Sequence, residues 1–344
     1  MVMSKFGRMG LGLMGLSGNY GAGLADREFI DFIHGAVQLG VRIFDTADAY
    51  DRSTGNEAKA GASGHNERAL GKALESSGIG REKFFLATKC GFLTTDWSLN
   101  LSPKHILDAC GRSLKNLRTP YSDLFYIHRI PLEKEGFKQA LDALGELIRE
   151  GKIHYAGISE ANAEQIRFAH KYFNQIGLPK GLLAVENEFS IFSPHHLHDG
   201  VIGACRELGI AFVPYSPLGR GVLTEAMKLD TRFEEGDFRA MLPRFNGENF
   251  RANLAMRDRL AELARKKGCT LPQLALAWTM AQGDFVFPIP GTKNLARLAE
   301  NWGTLKVHLT PKDLEQIHAI APKGAIGDRY TPEIRKMQNL PAVD

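Results

Sequence analysis

Short segments rich in β-branched and aromatic residues alternate along this chain with longer segments of helical periodicity. Regular alternation of this kind is typical of parallel sheets built from strand–helix units. Eight such units are the number that closes a (β/α)8 TIM barrel, so the pattern predicts an α/β protein with this fold. An open, doubly wound sheet is the alternative. The eight predicted strands are Gly10–Gly15, Val41–Thr46, Phe84–Cys90, Asp123–His128, His154–Ser159, Leu182–Glu188, Ile210–Ser216 and Phe285–Pro290.

Seven segments between these strands have the period of amphipathic helices, and glycine follows several of them within two residues, as is typical of helix C-termini. Because barrels of this kind often exceed about 250 residues as one domain, we predict a single domain over residues 1–344. Two segments, Asp51–Gly64 and Gly219–Asn249, are too long for plain connections and are predicted to contact the substrate. The predicted helices are Arg27–Leu39, Glu67–Ser76, Lys104–Leu117, Phe137–Arg149, Ala163–Tyr172, Leu197–Leu208 and Leu254–Lys266.

The charge and the cysteine content exclude several classes of protein. The formal net charge is +4 without a dense block of Lys and Arg, which argues against a nucleic-acid partner but suits attraction of an anionic cofactor. No apolar run approaches the roughly 18 residues that a membrane span needs, and the N-terminus lacks the pattern of a signal peptide. The four cysteines form no C-x-x-C pair, which indicates a reducing compartment. The sequence therefore predicts a cytoplasmic protein without a membrane partner.

The N-terminal segment contains the motif G-x-G-x-x-G, which is also the fingerprint of dinucleotide-binding Rossmann folds. That fingerprint needs a strand before it and a helix that begins on it. Only nine residues precede Gly10, and the segment Leu16–Gly23 contains three further glycines. The motif is therefore predicted to be the first barrel strand followed by an open loop, and not a nucleotide-binding turn.

Four titratable residues lie at or just beyond the ends of neighbouring predicted strands, namely Asp45, Tyr50, Lys89 and His128. In barrel enzymes the reactive groups lie where the strands run into the loops that follow them. A lysine on a buried strand is costly unless a partner neutralises it, and Asp45 is the expected partner of Lys89. Taken alone, each residue is more readily explained by a structural role. Their convergence at adjacent strand ends predicts a catalytic group.

A phenol beside a lysine suits proton transfer to a carbonyl oxygen. An ordinary tyrosine has a pKa near 10 and is a weak proton donor at neutral pH. We expect the Lys89 ammonium to lower the pKa of Tyr50 toward the neutral range. Asp45 would hold Lys89 in place, while His128 would orient the carbonyl by hydrogen bonding. Because no side chain supplies a hydride, the reaction also requires a nicotinamide cofactor.

The chain carries a series of short motifs in a fixed order, which are Phe44–Ala47, Asn66–Leu74, Thr88–Lys89, Asp123–His128, Gly157–Ser159, Pro214–Gly219 and Ile289–Thr292. In number and order they resemble the motifs of the aldo-keto reductases over nearly the whole chain. The resemblance implies a barrel that binds NADPH in an extended form and reversibly reduces aldehydes and ketones to alcohols. It also implies that Tyr50 is the general acid and that the other three strand-end residues are its partners.

The resemblance further implies a set of residues that hold NADP⁺ or NADPH. Ser159 is expected to bind the carboxamide, and Tyr215 to stack on the nicotinamide ring. Those expected around the nicotinamide and the pyrophosphate are Ser159, Glu186, Tyr215, Ser216, Leu218 and Gly219. Those expected around the 2′-phosphate and the adenine are Gly291, Thr292, Lys293, Arg297, Glu300 and Asn301. A phosphate beside a helix N-terminus gains from backbone N–H groups, although a solvated helix face also explains Lys293 and Arg297.

The chain departs from the family pattern at three places. Glu160 lies where many members have Asn, and Glu186 lies where a Gln commonly binds the carboxamide. A carboxylate accepts hydrogen bonds but cannot donate one to a carbonyl oxygen. We therefore hypothesise that two carboxylates near the ring favour NADP⁺ over NADPH. The third departure is the insertion Asp51–Gly64, which leaves the catalytic residues intact but bears on the size of the substrate.

Other interpretations stay open at this point. A cofactor-binding regulatory subunit resembling potassium-channel beta subunits would share the fold and the catalytic residues, although no extra segment precedes the barrel. A barrel hydrolase without a cofactor is a third interpretation. His195, His196 and His198 lie near a predicted helix start and are interpreted as a solvated helix entry, so no metal is predicted. Candidates for an apolar substrate wall are Phe92, Trp97, Phe245 and Phe250.

Overall fold

The described part of the chain forms a sheet of seven parallel strands that follow one another in sequence order. In the computed structural model, which describes residues 1–50, 64–93, 97–338 and 340, each strand pairs with the next one along the chain. Helices connect successive strands, so the prediction of an α/β barrel is confirmed. The strands are β1 (Leu11–Gly12), β2 (Ile43–Asp45), β3 (Phe85–Cys90), β4 (Ser122–Ile127), β5 (Ile153–Ser159), β6 (Leu182–Glu188) and β7 (Ala211–Tyr215).

The eighth predicted strand, Phe285–Pro290, lies between β7 and β1 and hydrogen-bonds to both. On one side the N–H of Phe287 donates to the main-chain oxygen of Phe212 at 2.9 Å. On the other side the N–H of Gly10 donates to the oxygen of Pro288 at 3.0 Å. The two prolines of this closing segment have no N–H, so the ladder toward β1 is incomplete and the segment is not a regular strand.

The helices surround the sheet, and every predicted helix is present. The sixth begins at Val201 instead of Leu197, because Gly200, with φ of 87°, separates it from a preceding 3-10 turn. None of the described helices has both the length and the apolar character required to cross a membrane. The helices are α1 (Asp26–Gln38), α2 (His65–Ser76), α3 (Pro103–Leu117), α4 (Lys134–Arg149), α5 (Ala163–Gln175), α6 (Val201–Leu208), α7 (Gly247–Lys267), α8 (Leu271–Met280), α9 (Leu295–Trp302), α10 (Pro311–Ile320) and α11 (Pro332–Met337).

Strand side chains divide into an inner core within the barrel and an outer core against the helices. On β3, Phe85 and Ala87 belong to the inner core. Cys90 belongs to the outer core together with Ile106 of α3 and points away from the barrel interior. Because successive strand residues point to opposite sides, Lys89 shares the inward direction of Phe85 and Ala87. The alternation of β3 thus directs a lysine into the barrel.

The G-x-G-x-x-G segment forms β1 and a short 3-10 turn, and α1 begins only at Asp26. The prediction that no helix begins on this motif is therefore confirmed. Its glycines allow close packing instead. A Cβ on Gly12 would lie 2.8 Å from the main-chain oxygen of Ile289 in the closing segment. A larger residue at this position would push β1 away from the segment that closes the barrel.

Candidate active site

The four predicted catalytic residues converge at the C-terminal ends of β2, β3 and β4. Asp45 ends β2, Lys89 lies near the end of β3, and His128 directly follows β4. The Lys89 ammonium forms an ion pair with Asp45 and donates to the hydroxyl oxygen of Tyr50 at 3.3 Å. The rings of Tyr50 and His128 pack edge to face with centroids 5.8 Å apart. The phenol and the imidazole thus line one wall of a cleft, while Lys89 is fully buried behind them.

A second carboxylate, that of Glu186 in β6, also reaches Lys89. Its Oε1 lies 3.3 Å from the Lys89 ammonium nitrogen. Its Oε2 is buried and has no hydrogen-bond partner within the part of the chain that the structure describes. Asp45, Lys89 and Glu186 are all buried, so one ammonium faces two carboxylates away from water. Sequence reasoning placed Glu186 beside the nicotinamide but did not find its contact with Lys89.

Burial raises the pKa of Tyr50 above its ordinary value. The Lys89 ammonium lowers that pKa, but the carboxylates of Asp45 and Glu186 raise it again, and the net shift is upward. The prediction that Lys89 brings the pKa of the phenol toward the neutral range is therefore wrong for the protein alone, because desolvation outweighs the ammonium. Tyr50 stays protonated at neutral pH, which is the state that a proton donor needs.

The surroundings also decide the charges of the imidazole and the ammonium. Burial, together with the positive charges of Arg129 and Lys89, lowers the pKa of His128 well below its ordinary value. Burial alone would lower the pKa of Lys89, but Asp45 and Glu186 raise it, so the ammonium stays charged. His128 is therefore neutral at neutral pH, and a neutral imidazole has one N–H that can donate to a carbonyl oxygen.

A cleft of about 1280 Å³ opens at these strand ends. This volume exceeds the ~300–1,000 Å³ typical of pockets for a single small ligand, so an extended ligand fits beside a substrate. The lining includes His128 at the catalytic residues and Asn301 of α9. The long segment Gly219–Asn249 contributes much of the wall, as its length suggested. The other long segment, residues 51–63, lies outside the described residues.

The predicted cofactor residues surround this cleft with one exception. Gly219 begins a 3-10 turn beside the cleft and lines a small neighbouring cavity instead. Ser216 and Gly219 have φ of 49° and 57°, so the chain turns sharply after β7. The predicted residues that line the cleft are Ser159, Glu186, Tyr215, Ser216, Leu218, Gly291, Thr292, Lys293, Arg297, Glu300 and Asn301.

The start of α9 presents two cations beside backbone N–H groups. The Asn294 side chain caps this helix by accepting from the N–H of Arg297 at 3.0 Å. Lys293 and Arg297 are both exposed. Lys293 donates to the main-chain oxygen of Ala22 at 2.7 Å, which joins the loop after β1 to this helix start. Positive charge at a helix N-terminus suits a phosphate group.

Glu160 does not present a free charge to the cleft. Its carboxylate forms an ion pair with Arg329 and accepts from the N–H of Glu188 at 3.0 Å. Burial opposes ionisation of Glu160, but Arg329 and Arg129 lower its pKa below the ordinary value, so it is ionised and paired. The hypothesis that two carboxylates act on the nicotinamide therefore no longer includes Glu160, and only Glu186 remains. The pairing was not visible in the sequence because Arg329 lies 169 residues further along the chain.

One of the three histidines after β6, His196, forms a buried contact. His196 is 6% exposed, so its interpretation as part of a solvated helix entry is wrong. Its Nδ1 lies 2.6 Å from the carboxylate of Asp199, and its Nε2 lies 3.1 Å from the side-chain nitrogen of Asn187. Ligand atoms of His195, His196 and Asp199 lie within 4.8 Å of one another. Both His196 nitrogens already have hydrogen-bond partners, so the absence of a metal here stays a prediction.

Of the four predicted wall residues, two lie in the cleft. Phe92 and Trp97 line it, and their ring centroids are 6.2 Å apart. Phe92 also packs edge to face on His128 at 4.9 Å. Phe245 and Phe250 belong to the outer core and do not line this cleft, so the prediction is wrong for them. Phe250 lies in α7, and Phe245 packs against it from the 3-10 turn before that helix, which the sequence pattern did not show.

Sequence reasoning missed several residues of the cleft wall near His128. Arg129 directly follows His128, so the strand-end argument that selected His128 would also have found it. Tyr330, Ile334 and Gln338 come from the chain around α11. No local pattern connects that C-terminal segment with the end of β4, so only the structure reveals them.

Comparison with known proteins gives a consistent result across the chain. The model of the Aldo/keto reductase family matches residues 8–322. The protein named probable aldo-keto reductase 1 of Glycine max is 37% identical over 327 residues. That alignment covers 94% of this chain and 88% of the Glycine max protein.

Solved structures of several oxidoreductases have a similar backbone. A glycerol dehydrogenase from Gluconobacter oxydans has a TM-score of 0.77 at 24% identity, covering 98% of this chain and 94% of that one. An aldo-keto reductase from Bacillus halodurans, in its holo form, has a TM-score of 0.70 at 23% identity and covers 94% of both chains. An aldo-keto reductase from Klebsiella pneumoniae, in complex with NADPH, has a TM-score of 0.67 at 19% identity and covers 94% of both chains. These similarities concern the barrel fold.

Proposed function

Because this chain belongs to the aldo/keto reductase family, we propose that it uses NADPH to reduce aldehydes or ketones to alcohols in a reversible reaction. The observation that carries the proposal is the contact between the Tyr50 hydroxyl and the Lys89 ammonium beside a cleft large enough for a dinucleotide. The NADPH bound by the Klebsiella pneumoniae protein supports the same cofactor here. A cytoplasmic location belongs to the proposal and is supported by the four free cysteines.

The cleft fits a nicotinamide nucleotide at several points. The unpartnered Oε2 of Glu186 is a buried polar atom that the carboxamide would satisfy. The Ser159 hydroxyl donates to the main-chain oxygen of Glu186 at 2.8 Å, and both residues line the cleft. Tyr215 presents a ring, and Lys293 and Arg297 present charge for the 2′-phosphate. Bound there, the nucleotide would supply the hydride that no side chain can supply.

The residues of the protein would handle the proton. Tyr50, which is protonated at neutral pH, would donate its proton to the carbonyl oxygen of the substrate. The neutral His128 would hydrogen-bond to the same oxygen and fix its position. The phenolate that forms would be stabilised by Lys89 at 3.3 Å, and the ion pair with Asp45 would hold that ammonium in place. Lys89 and Asp45 are both buried, which excludes water from their ion pair and strengthens the electrostatic contact.

The proposal is tested by steady-state oxidation of NADPH by the purified protein with a panel of aldehydes and ketones. We expect turnover that requires both NADPH and a carbonyl substrate. Tight nucleotide binding with negligible turnover on the panel would favour a regulatory subunit instead. Failure to bind NADPH in a fluorescence titration would contradict the proposal and favour a barrel hydrolase.

The double substitution Lys293→Gln with Arg297→Gln is expected to weaken NADPH binding by roughly 10- to 100-fold and NADH binding very little. The reason is that only NADPH carries the 2′-phosphate that these two cations would contact. Dissociation constants from fluorescence titration measure the effect. Replacing the exposed Arg265 and Lys266 of α7 by Gln removes the same charge elsewhere and should leave both affinities unchanged. An equal loss for the two nucleotides would contradict the assignment of the phosphate site.

Glu186→Gln is expected to change how nucleotide preference depends on pH. Burial and the neighbouring Asp45 raise the pKa of Glu186 well above its ordinary value, so the carboxyl loses its proton only as the pH rises. An ionised Glu186 favours the positive charge of the oxidised nicotinamide. The affinity for NADP⁺ relative to NADPH should therefore increase with pH in the native protein. In Glu186→Gln the affinity for NADP⁺ relative to NADPH should be nearly independent of pH. Equal pH dependence of this ratio in both proteins would contradict the assigned effect of Glu186 ionisation.

A further inference from the structure

A buried arginine lies next to the proposed proton-donor site. Arg129 follows His128 at the end of β4, is 7% exposed and lines the cleft. Its guanidinium carbon lies 5.2 Å from the ring centroid of Phe92, and the Phe92 ring lies 4.9 Å from that of His128. A guanidinium is charged at every physiological pH. A permanent positive charge therefore stands in the wall where a carbonyl substrate would bind.

Within the part of the chain that the structure describes, Arg129 forms no ion pair, and Glu160, whose pKa its charge helps to lower, is paired with Arg329. Its Nη1 donates to the main-chain oxygen of His128 at 2.6 Å, and its Nη2 donates to the side-chain oxygen of Gln338 at 2.9 Å. Within the described residues its Nε is buried without a partner, and both of its hydrogen-bond acceptors are uncharged. Burying a cation without an anion is costly. A ligand that brings negative charge would offset that cost.

Two glutamates on this side of the cleft are already committed to other arginines. Glu160 forms an ion pair with Arg329. Glu188 forms an ion pair with Arg220 at 2.7 Å. Both carboxylates are therefore already neutralised by other arginines. The charge of Arg129 is additional, so the wall around it carries excess positive charge. An anionic group of a substrate is the missing partner that this arrangement favours.

From these contacts we propose that Arg129 is a specificity-determining residue that binds a carboxylate of the carbonyl substrate. The proposal rests on the proposed function, because it names the substrate class of the same site. A guanidinium binds a carboxylate through two parallel hydrogen bonds, and the neutral Gln338 side chain can give up its contact to make room. Phe92, which packs against Arg129, and Trp97, which packs against Phe92, favour a flat apolar body between the carbonyl and the carboxylate.

The first test compares two aldehydes of nearly the same shape, 4-carboxybenzaldehyde and the neutral 4-carbamoylbenzaldehyde. We expect the native protein to prefer the carboxylate in kcat/KM by roughly 10- to 100-fold, mainly through KM. Arg129→Met is expected to abolish that ratio, and Arg129→Lys to keep part of it. Arg259→Gln removes a positive charge from the exposed surface of α7 and should keep the full ratio. Equal kcat/KM values of the native protein for the two aldehydes would overturn the proposal.

The second test does not depend on turnover or on a folded variant. Calorimetric titration of the native protein mixed with NADP⁺ should show benzoate binding roughly 10- to 100-fold more tightly than benzamide. Equal binding of the two would overturn the carboxylate site. If no aldehyde is reduced, the proposed function fails, and the benzoate titration still decides whether the cleft prefers an anion; repeating it with Arg129→Met decides whether Arg129 binds that anion. A purely structural Arg129 would lower stability in Arg129→Met and leave the ratio between the two aldehydes unchanged.

Discussion

Tyr50→Phe is expected to lower kcat for aldehyde reduction by roughly 10²- to 10⁴-fold while NADPH binds with nearly unchanged affinity. The substitution removes only the hydroxyl, and with it the proton that the phenol would give to the carbonyl oxygen. The phenyl ring remains, so the edge-to-face contact with His128 at 5.8 Å and the shape of the cleft wall are kept. Loss of a contact made only in the transition state lowers kcat and kcat/KM together.

Tyr126→Phe is the matched control for this experiment. Tyr126 lies in β4 inside the barrel, and its hydroxyl is buried without a hydrogen-bond partner in the described part of the chain. Its ring centroid lies 5.8 Å from the Lys89 ammonium nitrogen, so it shares much of the surroundings of Tyr50 without lining the cleft. We expect its kcat to remain close to that of the native protein. Near-native turnover of Tyr50→Phe would remove Tyr50 from the mechanism, and an equal loss in both variants would point to damage of the barrel.

The catalytic end of the barrel is largely visible in the sequence. The two-residue period of a strand directs Lys89 inward together with Phe85 and Ala87. A buried lysine needs a negative partner, and Asp45 ends the neighbouring strand. Elementary electrostatics and strand geometry are therefore enough to predict this ion pair. They are also enough to bring His128 to the same edge of the sheet.

Contacts between distant segments could not be predicted in the same way. Glu186 reaches Lys89 from β6, and Arg329 reaches Glu160 from the C-terminal segment. Periodicity records only the direction of a side chain, not the partner that it meets across the barrel. The upward pKa shift of Tyr50 was missed for the same reason, since burial is a property of the assembled structure. Proline likewise explains why the eighth segment closes the barrel without being a regular strand.

Glu186, at a position where the resemblance to the family implies Gln, makes the ammonium of Lys89 more important in this chain. With Gln at that position, Lys89 would face one carboxylate. Here it lies against Asp45 and 3.3 Å from Glu186, and all three groups are buried. Each carboxylate raises the pKa of Lys89 and is partly neutralised by it. Stability and proton transfer therefore depend on the same cation.

Lys89→Met is accordingly expected to abolish turnover and to lower the free energy of unfolding by about 3–5 kcal/mol at neutral pH. The variant leaves Asp45 and Glu186 buried together without a cation between them. Either one takes up a proton or both stay ionised, and each outcome costs stability. Met nearly matches the length of Lys, so lost packing contributes little. Urea unfolding followed by circular dichroism gives the free energy, and NADPH oxidation gives the activity.

The stability lost in Lys89→Met should shrink as the pH falls. Burial raises the pKa values of Asp45 and Glu186 even when Lys89 is present, and removal of the ammonium raises them further. A group whose pKa is higher in the folded than in the unfolded state binds more protons when folded, so acid favours the folded form. The difference in free energy between the variant and the native protein should therefore narrow from about pH 8 to about pH 5.

Two further variants separate charge from packing in this experiment. Adding Asp45→Asn and Glu186→Gln to Lys89→Met removes all three buried charges and should restore most of the lost stability, but not the activity. Lys104→Met breaks an ion pair with Asp108 on the exposed face of α3 and should change stability little. The idea would be contradicted if Lys89→Met were as stable as the native protein, or if the triple variant were no more stable than Lys89→Met. In either case the buried charges would not determine the stability of this part of the barrel. The expected order, with the single variant least stable and the triple variant stable but inactive, would separate the structural role of Lys89 from its part in proton transfer.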